Sequence, residues 1–493
     1  MALRFLLDRS AGDDSAALGL PLDDGWIHLV YARSLGALEG FAYNPGQQEA
    51  GCTSPLWVTL LAPLFWLRLP WDVPLIVVVK IVGALTSWVA SLFACRLGAR
   101  LAGPGCGLLL GAMVIVDPWL AFGAVSGMEV PLAAATMLAA FDFALAGRWR
   151  AAGIALGLAV WSRPECLVVA ATLTAVLAWH VRAKHADRRS VREIALPPVV
   201  AAALWSIWCV SVTGRLLPGG FYVKHQDGPL EAFADLPRVF VDQLFDAPWF
   251  YAGGGLLLLA VGAVRLWRRG PRPEVSRALL IAAPAWMIGI AWAHRINEPF
   301  AFYYHRYLDP GMPLLLVPVA VGLWYLLVVA WSTVRRTKVA TPLRVLATLA
   351  ALPLLALATW RIPESVAAHA RMQALSARNV QDMQVSLAVW MRLRTEPGEW
   401  LMTHDAGAIR FVSDRPVLDM LGINDHRVLD GSLARVIEEH PPRFVAVIPT
   451  WYPDLVRDPR VREVHRVRAR DYVICLECDQ DEMVVLEPVG RER

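Results

Sequence analysis

The run DDGWIHLVYARSLGALEGFAYNPGQQEAGCTSPLW, residues 23–57, sets two adjacent carboxylates, a polar loop and an N-P-G turn ahead of the first long apolar segment. Ile27, Tyr31, Leu35 and Leu38 recur at helical spacing behind Asp23 and Asp24. That spacing predicts a short helix lying along a membrane interface, with one of the two aspartates as its N-cap. Carboxylates at the positive end of a helix dipole stay ionised, and there they can cap the helix, bind a cation or accept a proton from a hydroxyl. Which of these applies depends on what else reaches the same side of the membrane.

The membrane itself follows from composition. Of 493 residues, 56% are hydrophobic and only 18% are charged, with 21 tryptophans, far from the soluble average. The chain reads as a polytopic α-helical membrane protein. A net charge of +4, unevenly spread, argues topology rather than nucleic-acid binding. Apolar runs near the length of a bilayer span occur at roughly 73–97, 105–125, 128–147, 193–213, 248–267, 277–294, 308–331 and 341–361. Between Arg150 and Arg182, two shorter apolar pieces flank the polar S-R-P-E of Ser162 to Glu165, which predicts a hairpin whose tip meets water. The short segment 55–69, with Pro63, reads as interfacial or re-entrant.

Basic clusters at Arg96 and Arg100, Arg148 and Arg150, Arg182 to Arg192, Arg265 to Arg277 and Arg335 to Lys338 share one side in a consistent alternation. Taken as cytoplasmic, they put the Asp23–Asp24 loop, S-G-M-E (126–129), the R-P-E tip and the loops 214–247 and 295–307 on the opposite face. Residues 1–22 carry Asp8, Arg9, Asp13 and Asp14 and cannot cross a bilayer, so either an initial helix precedes them or they stay peripheral. Beyond about Arg361 charged residues and short β-rich runs take over. Strands are expected at 400–404, 443–450, 472–477 and 483–488, and a helix at 432–440 ended by Pro441 and Pro442. The chain thus divides into a transmembrane domain, 1–361, whose first extracytoplasmic loop is 23–54, and a small soluble extracytoplasmic α/β domain, 362–493. Cys475 and Cys478 form a lone C-x-x-C for which strand packing outweighs a redox or metal role.

D-D-G-W-I-H-L-V-Y-A-R, Y-N-P-G and G-C-T-S-P-L-W, followed by S-G-M-E, S-R-P-E (162–165), L-L-P-G-G-F-Y-V-K (216–224), H-R-Y-L-D-P-G-M-P (305–313) and H-D-A-G-A-I-R-F-V-S-D-R-P-V-L-D-M-L-G (404–422), form an ordered set. This set resembles bacterial GT-C glycosyltransferases of the terminal arabinofuranosyltransferase type, from residue 23 to the C-terminus. Gly25, Cys52 and Gly220 depart from the pattern, which touches the donor sugar more than the reaction. The resemblance implies a GT-C fold in the bacterial plasma membrane. It also implies inverting transfer of a sugar, arabinofuranose or another pentose or hexose, from a polyprenyl-phosphate donor to a glycan, glycolipid or protein acceptor.

Such a displacement needs a base aligned with the attacking hydroxyl and cations on the departing phosphate. Asp23 and Asp24 are the candidate catalytic residues, one doing chemistry while the other orients it or holds a metal. Lys224 and Arg306, with His305 and Tyr222, are candidates for the phosphate; Glu129, Arg163 and Glu165 for substrate. A leaving monophosphate carries less charge than a diphosphate, so no cofactor is required and a divalent cation is possible. Each residue has a plainer reading: snorkelling for Lys224 and Arg306, helix capping for Glu129, an internal ion pair for Arg163 and Glu165. Asp405 is expected to end a strand at a turn where Gly407 supplies backbone freedom, and F-A-F-Y-Y-H (300–305) reads as an interfacial belt or a sugar-stacking surface. A lipid-linked sugar transporter or flippase would show an internal repeat and mid-membrane breaks, and no repeat is visible. A non-catalytic envelope protein would leave the paired aspartates opposite basic groups unexplained.

Overall fold

The computed structural model describes residues 18–70, 73–183, 187–224, 249, 254–293, 306–335, 342–474 and 480–489. Apolar runs fold as helices because a helix satisfies its backbone groups without water. Among the described residues five helical stretches are long and apolar enough to cross a membrane: Pro74–Ala102, Pro164–Arg182, Arg188–Thr213, Pro273–Ala293 and Arg306–Ser332. Their outer faces expose Leu85, Trp88, Leu196, Leu204 and Ile207, as lipid contact demands. The protein is a multi-pass membrane protein.

The single span expected over 105–125 is instead two helices, Pro104–Ile115 and Pro118–Ala124, bent by 59°. Asp117 accepts the Leu120 N–H at 3.0 Å and so starts a new helix at Pro118, where the missing proline N–H costs nothing. The stretch expected at 128–147 is a helix of 16 residues, Val130–Leu145. The last apolar run does not stop at residue 361 but continues as one helix, Pro342–Val380, of 39 residues. Arg96 and Arg100, besides marking topology, converge at 2.7 and 2.6 Å on buried Asp142.

The hairpin is present as Trp149–Ser162 and Leu167–Arg182 around a 3-10 turn at Pro164–Cys166. Arg163 is extended (φ −153°, ψ 126°), the conformation a following proline favours. At its tip Arg163 is only 4% exposed and is held by carboxylates, while Pro164 and Glu165 are half-buried. Pro55–Leu67 is a short apolar helix with Trp66 exposed.

Helix α1, Asp23–Gly36, departs from expectation in two ways. Its N-cap is Leu22, so Asp23 and Asp24 occupy the first turn rather than the cap. Nor does it lie on an interface: Trp26, Leu29, Val30 and Tyr31 are all buried, in one core with Trp57 of the membrane part and Ile409 and Phe411 of the C-terminal part. Every residue from Gly25 to Ala32 is buried. Its loop forms a small hairpin, β1 (Ala42–Asn44) with β2 (Gln47–Gln48), turned at Gly46 with φ +74°.

The C-terminal part carries a five-stranded sheet in the order β4-β3-β5-β7-β6, from β3 (Leu401–Thr403), β4 (Val417–Asp419), β5 (Phe444–Val447), β6 (Val461–Arg468) and β7 (Glu482–Pro488). β3 runs parallel to β4 and β5, whereas β7 is antiparallel to β5 and β6. The expected strands at 400–404, 443–450 and 483–488 and the helix at 432–440 are present. Residues 472–474 are not strand, and Cys475 and Cys478 lie outside the described residues. β6, VREVHRVR, escapes sequence detection because an edge strand exposes charge on both faces.

Candidate active site

The first turn of α1 sends its two aspartates in different directions. Asp23 Oδ2 accepts the Gly407 N–H and Oδ1 the Ala408 N–H, both at 2.7 Å, tying the first loop to the C-terminal domain. Gly407 has an ordinary φ of −85°, so backbone freedom is not its role. A Cβ there would lie 2.1 Å from the Asp23 carbonyl oxygen, and glycine is what permits the approach. Burial and the facing charge of Asp405 hold the Asp23 carboxyl well above the usual carboxylate range, against the two N–H groups that favour its ionised form.

Asp24 faces the membrane part. Its Oδ2 stands 2.5 Å from Arg306 Nη2, and the same nitrogen donates to Tyr307 Oη at 3.1 Å. Arg163 donates to Glu129 Oε1 at 2.5 Å, to Glu165 Oε1 at 3.3 Å and to the Arg306 carbonyl at 3.3 Å. The guanidinium carbons of Arg163 and Arg306 each lie 4.9 Å from the centre of the Tyr307 ring. An anion arriving at Arg306 must therefore displace Asp24 or share the guanidinium with it.

Two cavities meet at this point. The first, about 270 Å³, is lined by this charged group at one end and by Leu167, Val168, Phe221 and Trp292 at the other. Trp292 is half-exposed. The second, about 240 Å³, lies beneath the C-terminal domain and is lined by Asp23, Gln384, His404, Asp405, Asp419 and Trp451 among others. Asp24, Ile27 and Ile423 line both.

Residues 373–485 match a family described as a domain of unknown function, DUF8728. No curated protein matches the sequence. Among solved structures, the chain is similar to ArnT from Cupriavidus metallidurans in the apo state, with TM-score 0.57 and 15% identity over 94% of this chain and 93% of that chain. The same protein bound to undecaprenyl phosphate gives TM-score 0.57 and 15% identity over 97% and 96%. The archaeal oligosaccharyltransferase AglB from Archaeoglobus fulgidus, in complex with an inhibitory peptide and a dolichol-phosphate, gives TM-score 0.59 and 14% identity over 89% and 67%. The chain has the GT-C fold.

Within this GT-C frame the structure gathers Asp24, Arg306, Glu129, Arg163 and Glu165 around one cavity and sets Asp23 on the neighbouring one. Tyr222 does not join them: its hydroxyl turns back to accept the Leu217 N–H at 3.3 Å, and its neighbour Phe221 lines the cavity instead. Of Lys224 only the backbone, ending the short helix Gly219–Lys224, is described, and His305 lies outside the described residues with all of 300–305. Glu129 stands at the N-cap position of its helix yet makes no capping hydrogen bond.

Sequence reasoning missed His28, whose Nδ1 is 3.6 Å from Glu129 Oε2 and which burial holds below its usual value, against the pull of Glu129 and Asp24. A lone histidine in an apolar helix gives no signal. Also missed were Gln384, His404 and Trp451, brought together only by folding. Among the described residues, Glu49, Asp425 and His426 form the one group spaced to hold a metal ion. Its charges are already met, since His426 Nδ1 donates to Glu49 at 3.0 Å and Arg427 clasps Asp425 at 2.9 and 2.8 Å.

Proposed function

We propose that this protein is an inverting glycosyltransferase of the bacterial plasma membrane that moves a sugar from a polyprenyl-phosphate donor to a hydroxyl of a cell-envelope glycan or glycolipid. Arabinofuranose is the sugar favoured by the sequence resemblance. The observation that carries the reading is the Asp24–Arg306 pair, in which Arg306 lines a largely apolar cavity and Asp24 lines both that cavity and the one bordered by the C-terminal domain. The similar ArnT structure holds undecaprenyl phosphate and the AglB structure a dolichol-phosphate, which supports a lipid phosphate as the carrier here.

In this reading the prenyl chain lies along Leu167, Val168 and Trp292, and the donor phosphate takes Arg306 from Asp24. Asp24, thus released, accepts the proton of the acceptor hydroxyl as its oxygen attacks the anomeric carbon from the second cavity. The bond to the phosphate oxygen breaks on the opposite side, and polyprenyl phosphate leaves with the electron pair, its charge met by Arg306 and Lys224. Asp23 positions Asp24 by anchoring the same helical turn to the C-terminal domain. The active face is the extracytoplasmic one, as the basic clusters argue. Purified full-length protein incubated with a polyprenyl-phosphate pentose and an envelope glycan should release polyprenyl phosphate. No release with any polyprenyl-phosphate sugar, or release undiminished by Asp24→Asn, would rule the mechanism out.

A further inference from the structure

Two helices that wall the first cavity run away from it side by side. Val168 of Leu167–Arg182 and Gly289 of Pro273–Ala293 both line that cavity, and a Cβ on Gly289 would lie 2.8 Å from Val168 Cγ2. Further along the same pair His180 and Arg277 meet, with Arg277 Nη1 3.3 Å from His180 Nε2. A helical rise of about 1.5 Å per residue puts this second contact roughly 18 Å from the first, at the opposite end of the bundle.

The hydrogen bonding there leaves a positive charge without a counterion. His180 Nδ1 is 2.8 Å from the Val176 carbonyl oxygen, which can only accept, so Nδ1 carries the ring proton and Nε2 accepts from Arg277. A ring that accepts from an arginine is neutral, so the guanidinium gains a hydrogen bond and no opposite charge. Its Nε is buried without a hydrogen-bond partner, and its carbon lies 5.1 Å from the centre of the Trp267 ring. Arg189 and Arg272 have Glu193 and Glu274 at 2.7 and 3.9 Å, whereas among the described residues Arg182, Arg268, Arg269 and Arg277 have no carboxylate within ion-pair distance. Arg182 ends the helix that carries His180, and Arg268 and Arg269 end Gly254–Arg269, the helix that carries Trp267.

The surroundings narrow the anion that would answer these charges. Trp179 is 74% exposed and Trp267 49% exposed, and tryptophans at the ends of spans settle at the level of lipid headgroups. Basic groups between spans at that level receive the phosphate of acidic lipids, and a guanidinium fork matches phosphate oxygens. A soluble anion would meet the arginines but would leave both indole rings uncovered.

We infer that the end of the bundle opposite the first cavity binds a glycerophospholipid with a net negative headgroup. Its phosphate is held by Arg277 together with Arg182 and Arg268, and its glycerol and acyl carbons lie against Trp179 and Trp267. Such a site is independent of the transfer reaction, and a lipid seated there braces the far end of the helix pair that walls the first cavity.

The test is native mass spectrometry of the full-length protein released from detergent after it has been offered equal amounts of phosphatidylglycerol and phosphatidylethanolamine. Phosphatidylglycerol should stay bound in preference, and Arg277→Gln should lower its retention about fivefold, the loss expected for one cation at a lipid surface. Arg182→Gln combined with Arg268→Gln, both at exposed positions, should lower it by more than about tenfold and stands in should Arg277→Gln fail to fold. Arg150→Gln, at an exposed position on another helix, and Arg306→Ala, at the first cavity, should leave retention as in the wild type. Equal retention of the two lipids, or full retention by the Arg182 and Arg268 double variant, would overturn the site. A loss in Arg150→Gln as large as in Arg277→Gln would reduce it to a diffuse charge effect, a loss in Arg306→Ala would move the lipid to the first cavity, and displacement by millimolar inorganic phosphate would mark an adventitious ion only; each of these also overturns the assignment.

Discussion

Asp24 Oδ2 and Arg306 Nη2 stand 2.5 Å apart, joining the first turn of α1 to the start of the span Arg306–Ser332. One residue earlier, Asp23 is committed to backbone N–H groups of the C-terminal domain. The two aspartates should therefore behave differently on substitution. Asp24→Asn is expected to lower turnover by about two to four orders of magnitude, the range for loss of a general base, with undecaprenyl phosphate binding retained. Asp23→Asn should lower it less and should also reduce thermal stability. Release of polyprenyl phosphate and a melting curve on the same preparations separate them, and equal catalytic losses with unchanged melting would contradict the division of roles.

Arg306→Ala should weaken undecaprenyl phosphate binding by about one to two orders of magnitude, from the roughly 1.5–3 kcal/mol of a charge-assisted hydrogen bond. Because charge gathers on the phosphate as the glycosidic bond breaks, the loss in kcat/KM should exceed the loss in binding. Arg306→Lys should recover part of each. A residue that merely snorkels to the lipid surface would change expression and leave both constants alone.

Gly407→Ala places a methyl group against the Asp23 carbonyl oxygen, which has no room to retreat without moving α1. The expected cost is about 1–3 kcal/mol, as for overpacking elsewhere, read as a lower melting temperature and faster proteolysis between the two parts of the chain. Gly398→Ala, at a φ of +94° but with nothing within 4 Å, provides the comparison for backbone strain alone. Similar losses in both variants would argue that Gly407 serves conformation rather than contact.

The contact between His426 and Glu49 predicts a pH dependence. The hydrogen bond to Glu49 raises His426 from its usual value of 6.5, with burial opposing. A folded-state value above the unfolded one means the contribution is complete below about pH 6.5 and is lost as pH rises through the folded value. Melting temperature should thus fall by on the order of 1–2 °C more in wild type than in His426→Gln between pH 6 and 8.5. Parallel curves for the two proteins would remove the link.

Composition and run length alone determined that the chain crosses a membrane several times and ends in a small α/β domain, because span length and strand alternation are local properties of ten to twenty residues. The ordered motifs also put Asp23, Asp24, Glu129, Arg163 and Arg306 on one list before any coordinates. Their division of labour was not legible. Adjacent side chains on a helix diverge by about 100°, so the direction of Asp23 and of Asp24 depends on how α1 is seated, and that seating is set by the core it shares with Trp57 and Phe411. The same holds for Tyr222, turned away by one step from Phe221, and for the unsuspected His404, Gln384 and Trp451, which lie far apart in sequence and share a cavity only once the end of β3, the turn Gln381–Val385 and the segment after β5 are brought together. Sequence records which groups are available; only the docking of the C-terminal domain onto the first loop decides which of them face one another, since burial and charge pairing are made by the surfaces that meet.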